Sequence, residues 1–357
     1  MSPAYIALLS ILSIFSVGLL LIEGLRIGQR RKESFDIRTP SMRVLVIVPC
    51  RGIDLTLQEN LESLMHQSYT NYEIVAVVDD SSDPALEVIG RVGMRWTVSS
   101  VSCGNCSGKV RAIATALQSF PSFDAYVIAD SDGTYERDWL YEILLPLSDP
   151  ECGLSTTFPL FEARGGFWSR IKMLWGFVGQ SMMDSPITRF GWGGSLAFRR
   201  SLLEDGGISE FSESVSDDGA LTHICHRKKL RIAYCGKTIV RVRSRENFQS
   251  FIEWSNRQTA LAIAGNALLF PIGVAYFSVR ILLFIGSIVL AALLSPFVLL
   301  LLIPFALIIA RIYYRLKVRN PLYVFLFFLN DFIYLSNLLK GGRMKTITWR
   351  GRVYSLR

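Results

Sequence analysis

Hydrophobic and polar positions are segregated along this chain. Residues 6–22 are nearly all apolar, 260–310 almost all apolar, and 322–339 apolar again apart from Asn330 and Asp331. Between the first two runs, 40–258 alternates short apolar stretches with polar ones. Arg43–Pro49 reads as a buried strand, and Gln58–Gln67 as a helix with Leu57, Leu61, Leu64 and Met65 on one face. Tyr72–Val78 is a second strand, ending in Asp79-Asp80. Pro84–Val92 is a short helix, Arg95–Val101 a third strand, and Gly108–Phe120 a helix. A fourth strand, Ala125–Ala129, runs into Asp130. This alternation predicts an α/β fold with a parallel, doubly wound sheet, which takes ligands at the carboxyl ends of its strands. Beyond it the pattern is less regular. Phe158–Ser185 is aromatic and glycine-rich, Gly191–Ser195 leads into a strand over Leu196–Arg199, and Ala220–Arg227 is helical.

The apolar runs predict membrane helices. The first is long enough for one crossing. It lacks a basic leader, and Leu21-Ile22-Glu23-Gly24 is a poor cleavage site, so an uncleaved anchor is expected over a signal peptide. Arg26, Arg30, Arg31 and Lys32 follow at once, which puts the polar domain in the cytoplasm. Arg280 interrupts the long second run, and Pro296 and Pro304 lie inside it. A hairpin of 262–279 with 281–310 and a re-entrant 322–339 would keep the basic loop 311–319 and the tail on the cytoplasmic side. The expected domains are a 1–25 anchor, a 40–258 α/β domain, membrane and interfacial helices over 259–340, and a basic cytoplasmic tail over 341–357.

Composition agrees. Half of the 357 residues are hydrophobic, and the mean hydropathy of +0.34 is too high for an ordinary soluble protein and too low for a pure transporter. The net charge of +8 gathers beside the apolar runs, as contact with anionic lipid head groups requires. No aromatic-basic recognition motif points to nucleic acid. Six cysteines in a cytoplasmic domain are expected to be reduced. Cys103-x-x-Cys106 with His223, Cys225, His226 and Cys235 is a weak zinc candidate, because no second Cys-x-x-Cys accompanies it.

The chemistry centres on Asp130-Ser131-Asp132. Two carboxylates one residue apart, at the open end of a strand, suit Mg²⁺ or Mn²⁺ with positions left for the oxygens of a diphosphate; an Asp-rich turn is the plain alternative. Asp79, Asp80 and the 103–109 loop fall at the same edge of the predicted sheet. In Asn105–Lys109 a glycine, a helix start and a lysine suit a phosphate, although the spacing is not that of a Walker loop. A helix-capping loop with a solvated Lys109 is the other reading.

Val77-Val78-Asp79-Asp80-Ser81-Ser82-Asp83-Pro84-Ala85 resembles the first aspartate motif of inverting glycosyltransferases with the GT-A fold, families 2 and 21. Its trailing Asp-Pro-Ala is most similar to the ceramide glucosyltransferase group. The resemblance runs in order from about residue 42 to the C-terminus. It implies that Asp80, with its neighbour Asp79, meets the uracil and ribose of a UDP-sugar, and that Lys109 lies near the diphosphate. Asp130 and Asp132 become the metal-holding Asp-x-Asp. Asp217-Asp218 resembles the third aspartate motif, with Asp218 as general base and Asp217 on the acceptor side. Gly193-Gly194-Ser195 resembles the family's acceptor-side loop, with a glycine turn before a strand as the plain alternative; Trp192 beside it either shapes the acceptor pocket or simply packs. Trp254-Ser255-Asn256-Arg257-Gln258 departs from the family's Gln/Arg-x-x-Arg-Trp. Arg257 and Gln258 are expected at the donor and Trp254 at the acceptor. Ile347–Tyr354 resembles the Trp-Arg-Gly-Arg-x-Tyr ending of bacterial and archaeal lipid glucosyltransferases, with no role attached. The implied activity is transfer of a hexose, glucose by resemblance, from a UDP-sugar to a membrane-lipid hydroxyl. A polyprenyl-phosphate glycosyltransferase, a polysaccharide synthase and an inactive scaffold are the rivals.

Overall fold

The structure, a computed structural model, describes residues 2–30, 40–317 and 319–356. Arg31 and Lys32 of the expected basic flank lie outside them. The chain divides into two compact units. One holds the first helix and 248–344; the other holds 40–247 and 345–356.

In the second unit the strands are β1 (Val44–Cys50), β2 (Tyr72–Val78), β3 (Trp96–Val98), β4 (Ala125–Ala129), β5 (Gly133–Tyr135) and β6 (Cys152–Thr156). They continue with β7 (Leu160–Ala163), β8 (Ser195–Arg199), β9 (Arg231–Tyr234), β10 (Val240–Ser244), β11 (Thr346–Trp349) and β12 (Arg352–Ser355). A seven-stranded sheet has the order β3-β2-β1-β4-β8-β6-β9. The first four strands are parallel, and β8 runs antiparallel to both neighbours. This is the predicted α/β sheet, mainly parallel.

Both faces of β1 are buried, which is why it reads as an unbroken apolar run. Val44, Val46 and Val48 join one core with Leu57, Leu61 and Leu64 of the helix Leu57–Met65. Leu45 and Ile47 join the other with Val110, Ile113 and Leu117 of the helix Gly108–Ser119. The strand order reverses direction at β1, between β2 and β4. A crevice therefore opens at the carboxyl ends of these strands.

Three elements depart from the sequence reading. The third strand is shorter than Arg95–Val101, with Ser99 and Ser100 already in the loop. The aromatic stretch after Phe158 is regular: β7 is followed by a helix over Phe167–Met183, and β7 joins β10 and β5 in a second sheet. Its glycines hid the helix, but Gly176 and Gly179 sit under the rings of Phe161 and Phe158, where a Cβ would collide. The stretch expected as a basic tail carries the hairpin β11–β12, which belongs to the α/β unit.

The other unit is helical. Among the described residues, four helical segments are long and apolar enough to cross a membrane: Pro3–Gln29, Leu269–Leu293, Pro296–Leu316 and Leu322–Gly341. The break in the long run falls at Leu294–Ser295 and not at Arg280, which lies mid-helix. Arg280 is buried against Asp331, with Nη2 2.9 Å from Oδ1. Its guanidinium also lies 5.2 Å from the ring centre of Phe305 and 4.9 Å from that of Phe327. One pairing thus accounts for the two charged interruptions in the apolar runs, Arg280 and Asp331. Glu23 of the first helix likewise pairs with Arg311 and Arg26.

Arg280→Met alone leaves Asp331 buried without a counter-charge and is expected to cost about 3–5 kcal/mol. Adding Asp331→Leu should recover most of that. Thermal unfolding of the detergent-solubilised protein checks this, and a double variant no better than the single one counts against the pairing.

Candidate active site

The carboxyl ends of β1, β2 and β4 bring the predicted acidic residues together. Asp130 follows β4, and its loop is held from three sides. Tyr135 donates its hydroxyl to the carbonyls of Asp130 (2.9 Å) and Gly194 (2.8 Å). Asn60 donates to the Ser131 carbonyl at 3.0 Å and accepts from the Thr134 hydroxyl at 2.7 Å. Ser131 donates to Asp54 at 2.6 Å. Asp54 thus joins the Asp-x-Asp loop, a carboxylate that no motif had flagged.

Lys109 lies in the first turn of Gly108–Ser119, whose N-cap Ser107 accepts from Val110 N. It is not a solvated lysine. Its Nζ is 2.7 Å from Asp130 Oδ1 and 3.1 Å from Asp217 Oδ2, with 12% of the side chain exposed. Burial works against its charge, but the two carboxylates outweigh it and push the ammonium pKa well above the usual lysine range. Asp217 is buried. Burial pushes its carboxyl up to about 6, Lys109 pulls against this, and Asp218 and Asp130 add to it. Burial, then repulsion from Asp130 and Asp54, pushes Asp132 up to about 7.

Asp217 and Asp218 open the helix Asp217–Arg227. Asp218 Oδ1 accepts from the Ser216 hydroxyl and from Gly219 N at 2.8 Å, and Oδ2 accepts from Gly193 N at 3.4 Å. The side chain is only half-buried. Helix and glycine loop therefore fix its orientation while leaving it reachable. The glycines serve close approach. A Cβ on Gly193 would lie 2.3 Å from Asp217 Oδ2 and 2.9 Å from Lys109 Nζ; one on Gly194 would strike the Trp192 ring. Trp192 packs against Phe158 at the edge of the core.

Asp79 and Asp80 differ sharply. Asp80 is exposed, and its carboxyl is held below the usual range by the Ser82 hydroxyl and backbone N–H. The Asp79 side chain is 9% exposed and faces three guanidiniums: Arg51 Nε and Arg352 Nη2 at 3.3 Å from Oδ2, and Arg111 Nη2 at 3.7 Å from Oδ1. None of the three arginines carried a sequence signal as a site residue. Arg352 lay within a recognised string to which no role was attached. Trp254, Arg257 and Gln258 lie on the helix Phe248–Gly265 and so belong to the other unit.

The cysteines depart in part from expectation. Cys103 and Cys106 form a disulfide in the loop before Gly108, where reduced thiols were expected. Cys225 and Cys235 are buried free thiols. Among the described residues no three His, Cys, Asp or Glu side chains converge as a metal site, and the zinc set does not assemble. Asp130 and Asp132 do fit a hard divalent cation. They offer oxygen donors only, and Asp132 is crowded by like charge that a cation would relieve.

Residues 6–357 match the family described as glycosyl transferase family 21. Among solved structures, the chain is similar to a mannosyltransferase from Pyrobaculum calidifontis determined with GDP-mannose and Mn²⁺. The match has 19% identity and a TM-score of 0.59, and covers 94% of this chain and 98% of that one. A weaker likeness is to glucosyl-3-phosphoglycerate synthase from Mycobacterium tuberculosis, with 17% identity, 63% of this chain, 80% of that one and a TM-score of 0.42.

The raised Asp217 carboxyl sets a pH dependence. Its native pKa of about 6 lies above the model-peptide value of 3.8. The folded state thus holds the extra proton between them, and stability falls as pH rises from about 4 to 6. Asp217→Asn removes that titration. The stability of the variant relative to wild type should rise by on the order of 1–3 kcal/mol from pH 4 to pH 7. Thermal unfolding in EDTA measures it, and a flat difference would mean that Lys109 holds Asp217 ionised throughout.

The matched family spans nearly the whole chain, and Asp79, Asp80, Asp130 and Asp132 follow the carboxyl ends of neighbouring parallel strands: this chain belongs to glycosyl transferase family 21, and it is a glycosyltransferase with the GT-A fold.

Proposed function

We propose that the protein transfers a hexose from a UDP-sugar to the hydroxyl of a membrane lipid, with inversion at the anomeric carbon. Glucose is the sugar the sequence resemblance favours. The observation that carries the reading is the cluster of Asp130, Asp132, Asp217 and Asp218 around Lys109. Four apolar helical segments in the same chain support a lipid acceptor. Arg26, Arg315, Lys317 and Arg319 beside these segments support a cytoplasmic catalytic unit.

In this reading Asp218 accepts the proton of the acceptor hydroxyl as that oxygen attacks the anomeric carbon. The new C–O bond forms as the bond to the β-phosphate oxygen breaks, and the electron pair leaves with the diphosphate. Ser216, Gly219 and Gly193 keep Asp218 oriented for this proton. Lys109 holds Asp130 and Asp217 in place and adds positive charge near the departing phosphate. A divalent cation, when bound by Asp130 and Asp132, would neutralise that phosphate.

Labelled sugar transfer to extracted lipids tests this, with a panel that includes UDP-glucose, UDP-galactose and GDP-mannose. Wild type should label one lipid, EDTA should abolish the label, and Asp218→Asn should lower the rate by roughly 10²–10⁴-fold. Full activity in Asp218→Asn would sink the general base and favour a phosphate acceptor, which needs none. Nucleotide binding without transfer from any donor would favour the inactive scaffold.

A further inference from the structure

The hairpin β11–β12 offers more than its composition suggests. An isolated two-stranded hairpin is marginal in water, so its contacts with the α/β unit must hold it. Ile347 and Tyr354 face each other across the strands and are both buried; Trp349 and Arg352 are the next pair on that face. The Tyr354 hydroxyl accepts from Gly108 N at 3.2 Å, and Asn105 donates to the Ser355 carbonyl at 3.2 Å. Gly108 and Asn105 belong to the loop and helix start that the sequence marked for a phosphate. A Cβ on Gly108 would lie 3.1 Å from Arg352 Nη1.

The turn at the hairpin tip is Arg350-Gly351, with φ of 47° and 76°. Two residues of positive φ make the tight turn that suits strand twist, and the first is normally Asn, Asp or Gly. An arginine there is disfavoured. Its guanidinium is used: Nη2 donates to Asp54 Oδ1 at 2.7 Å, and Nη1 donates to the Arg51 carbonyl. Asp54 is the carboxylate to which Ser131 of the Asp-x-Asp loop donates. The tip therefore reaches the metal-motif loop through one residue.

Arg352 reaches the other end of the same edge. With Arg51 and Arg111 it surrounds Asp79, so three cations face one carboxylate. Asp79 Oδ2 is buried between Arg51 and Arg352, each 3.3 Å away. Beside it is a cleft of about 200 Å³, lined by Gly108, Arg111, Arg352, Tyr354 and the Cys103–Cys106 loop. A surplus of guanidinium charge beside this cleft suits a ligand rich in anionic oxygens. A nucleoside diphosphate is such a ligand.

We propose that the β11–β12 hairpin is part of the donor site, with Arg350 and Arg352 binding the nucleoside diphosphate. This deepens the functional reading above and rests on it. The surplus charge at Arg352 takes up phosphate. Arg350 fixes Asp54 and the Asp-x-Asp loop at the same time as it adds charge.

The test is binding of UDP, and of GDP in parallel, to the full-length detergent-solubilised protein by calorimetry. The variants are Arg352→Ala, Arg350→Ala and the conservative Arg352→Lys, with Lys345→Ala as a charge-matched control on the exposed start of the hairpin. Arg352→Ala and Arg350→Ala should each weaken the preferred nucleotide tenfold or more, more strongly at low salt. Arg352→Lys should recover part of the loss, and Lys345→Ala should stay within twofold. Unfolding temperatures without nucleotide separate binding from folding: a lowered affinity at unchanged stability supports a ligand contact. Affinity within twofold of wild type in both alanine variants overturns this proposal and leaves the transferase reading intact. No binding of either nucleotide by wild type overturns both.

Discussion

Lys109 is the charge on which this site depends. The loops beyond the carboxyl ends of β1 and β4 and the start of the helix Asp217–Arg227 gather Asp54, Asp130, Asp132, Asp217 and Asp218 around one place, and carboxylates that close cannot all ionise without cations between them. Lys109 takes the central place, within hydrogen-bonding distance of both Asp130 and Asp217. Its position follows from a helix start at Gly108, and its fit requires that residue 193 have no side chain. Sheet, helix and glycine loop are thus tied to one ammonium group.

The fold was largely legible because its signals are local. β1, β2 and β4 are buried on both faces and read as apolar runs, and the helices between them keep a clean apolar stripe. The Phe158–Met183 region was not legible. Its glycines mark contacts with distant rings, and that information lies in tertiary packing. The same holds for Gly193 and Gly194, which look like a turn and are in fact places where charged and aromatic groups come close.

The site was legible in its acids and less so in its bases. Paired aspartates at strand ends stand out, since several such pairs fall at the carboxyl ends of neighbouring strands, where a parallel sheet takes its ligands. Arginines do not, because an arginine on a surface is ordinary until its partner is known. Arg51 and Arg111 become informative only when both are seen at Asp79. Arg280 and Asp331 teach the same lesson in the helical unit. Each looked like a fault in an apolar segment, and 51 residues of chain separate two halves of one contact.

The order of the chain adds a constraint that geometry alone does not express. The α/β unit is interrupted after Asn247 and resumed at Lys345, with the apolar helices between. A hairpin that could have been supplied locally is supplied from beyond those helices. If Arg350 and Arg352 hold the donor, the nucleotide site is complete only when the chain has returned to the α/β unit after an even number of crossings, so one of the three apolar segments between Asn247 and Lys345 does not cross. Donor binding and correct topology then become linked: a chain that left its hairpin on the far side of a bilayer would keep its aspartates and Lys109 but lose two guanidiniums. The surplus carboxylate charge around Asp54 and Asp132 would go uncompensated, and by the same electrostatics that makes Lys109 central, such a site would repel a diphosphate.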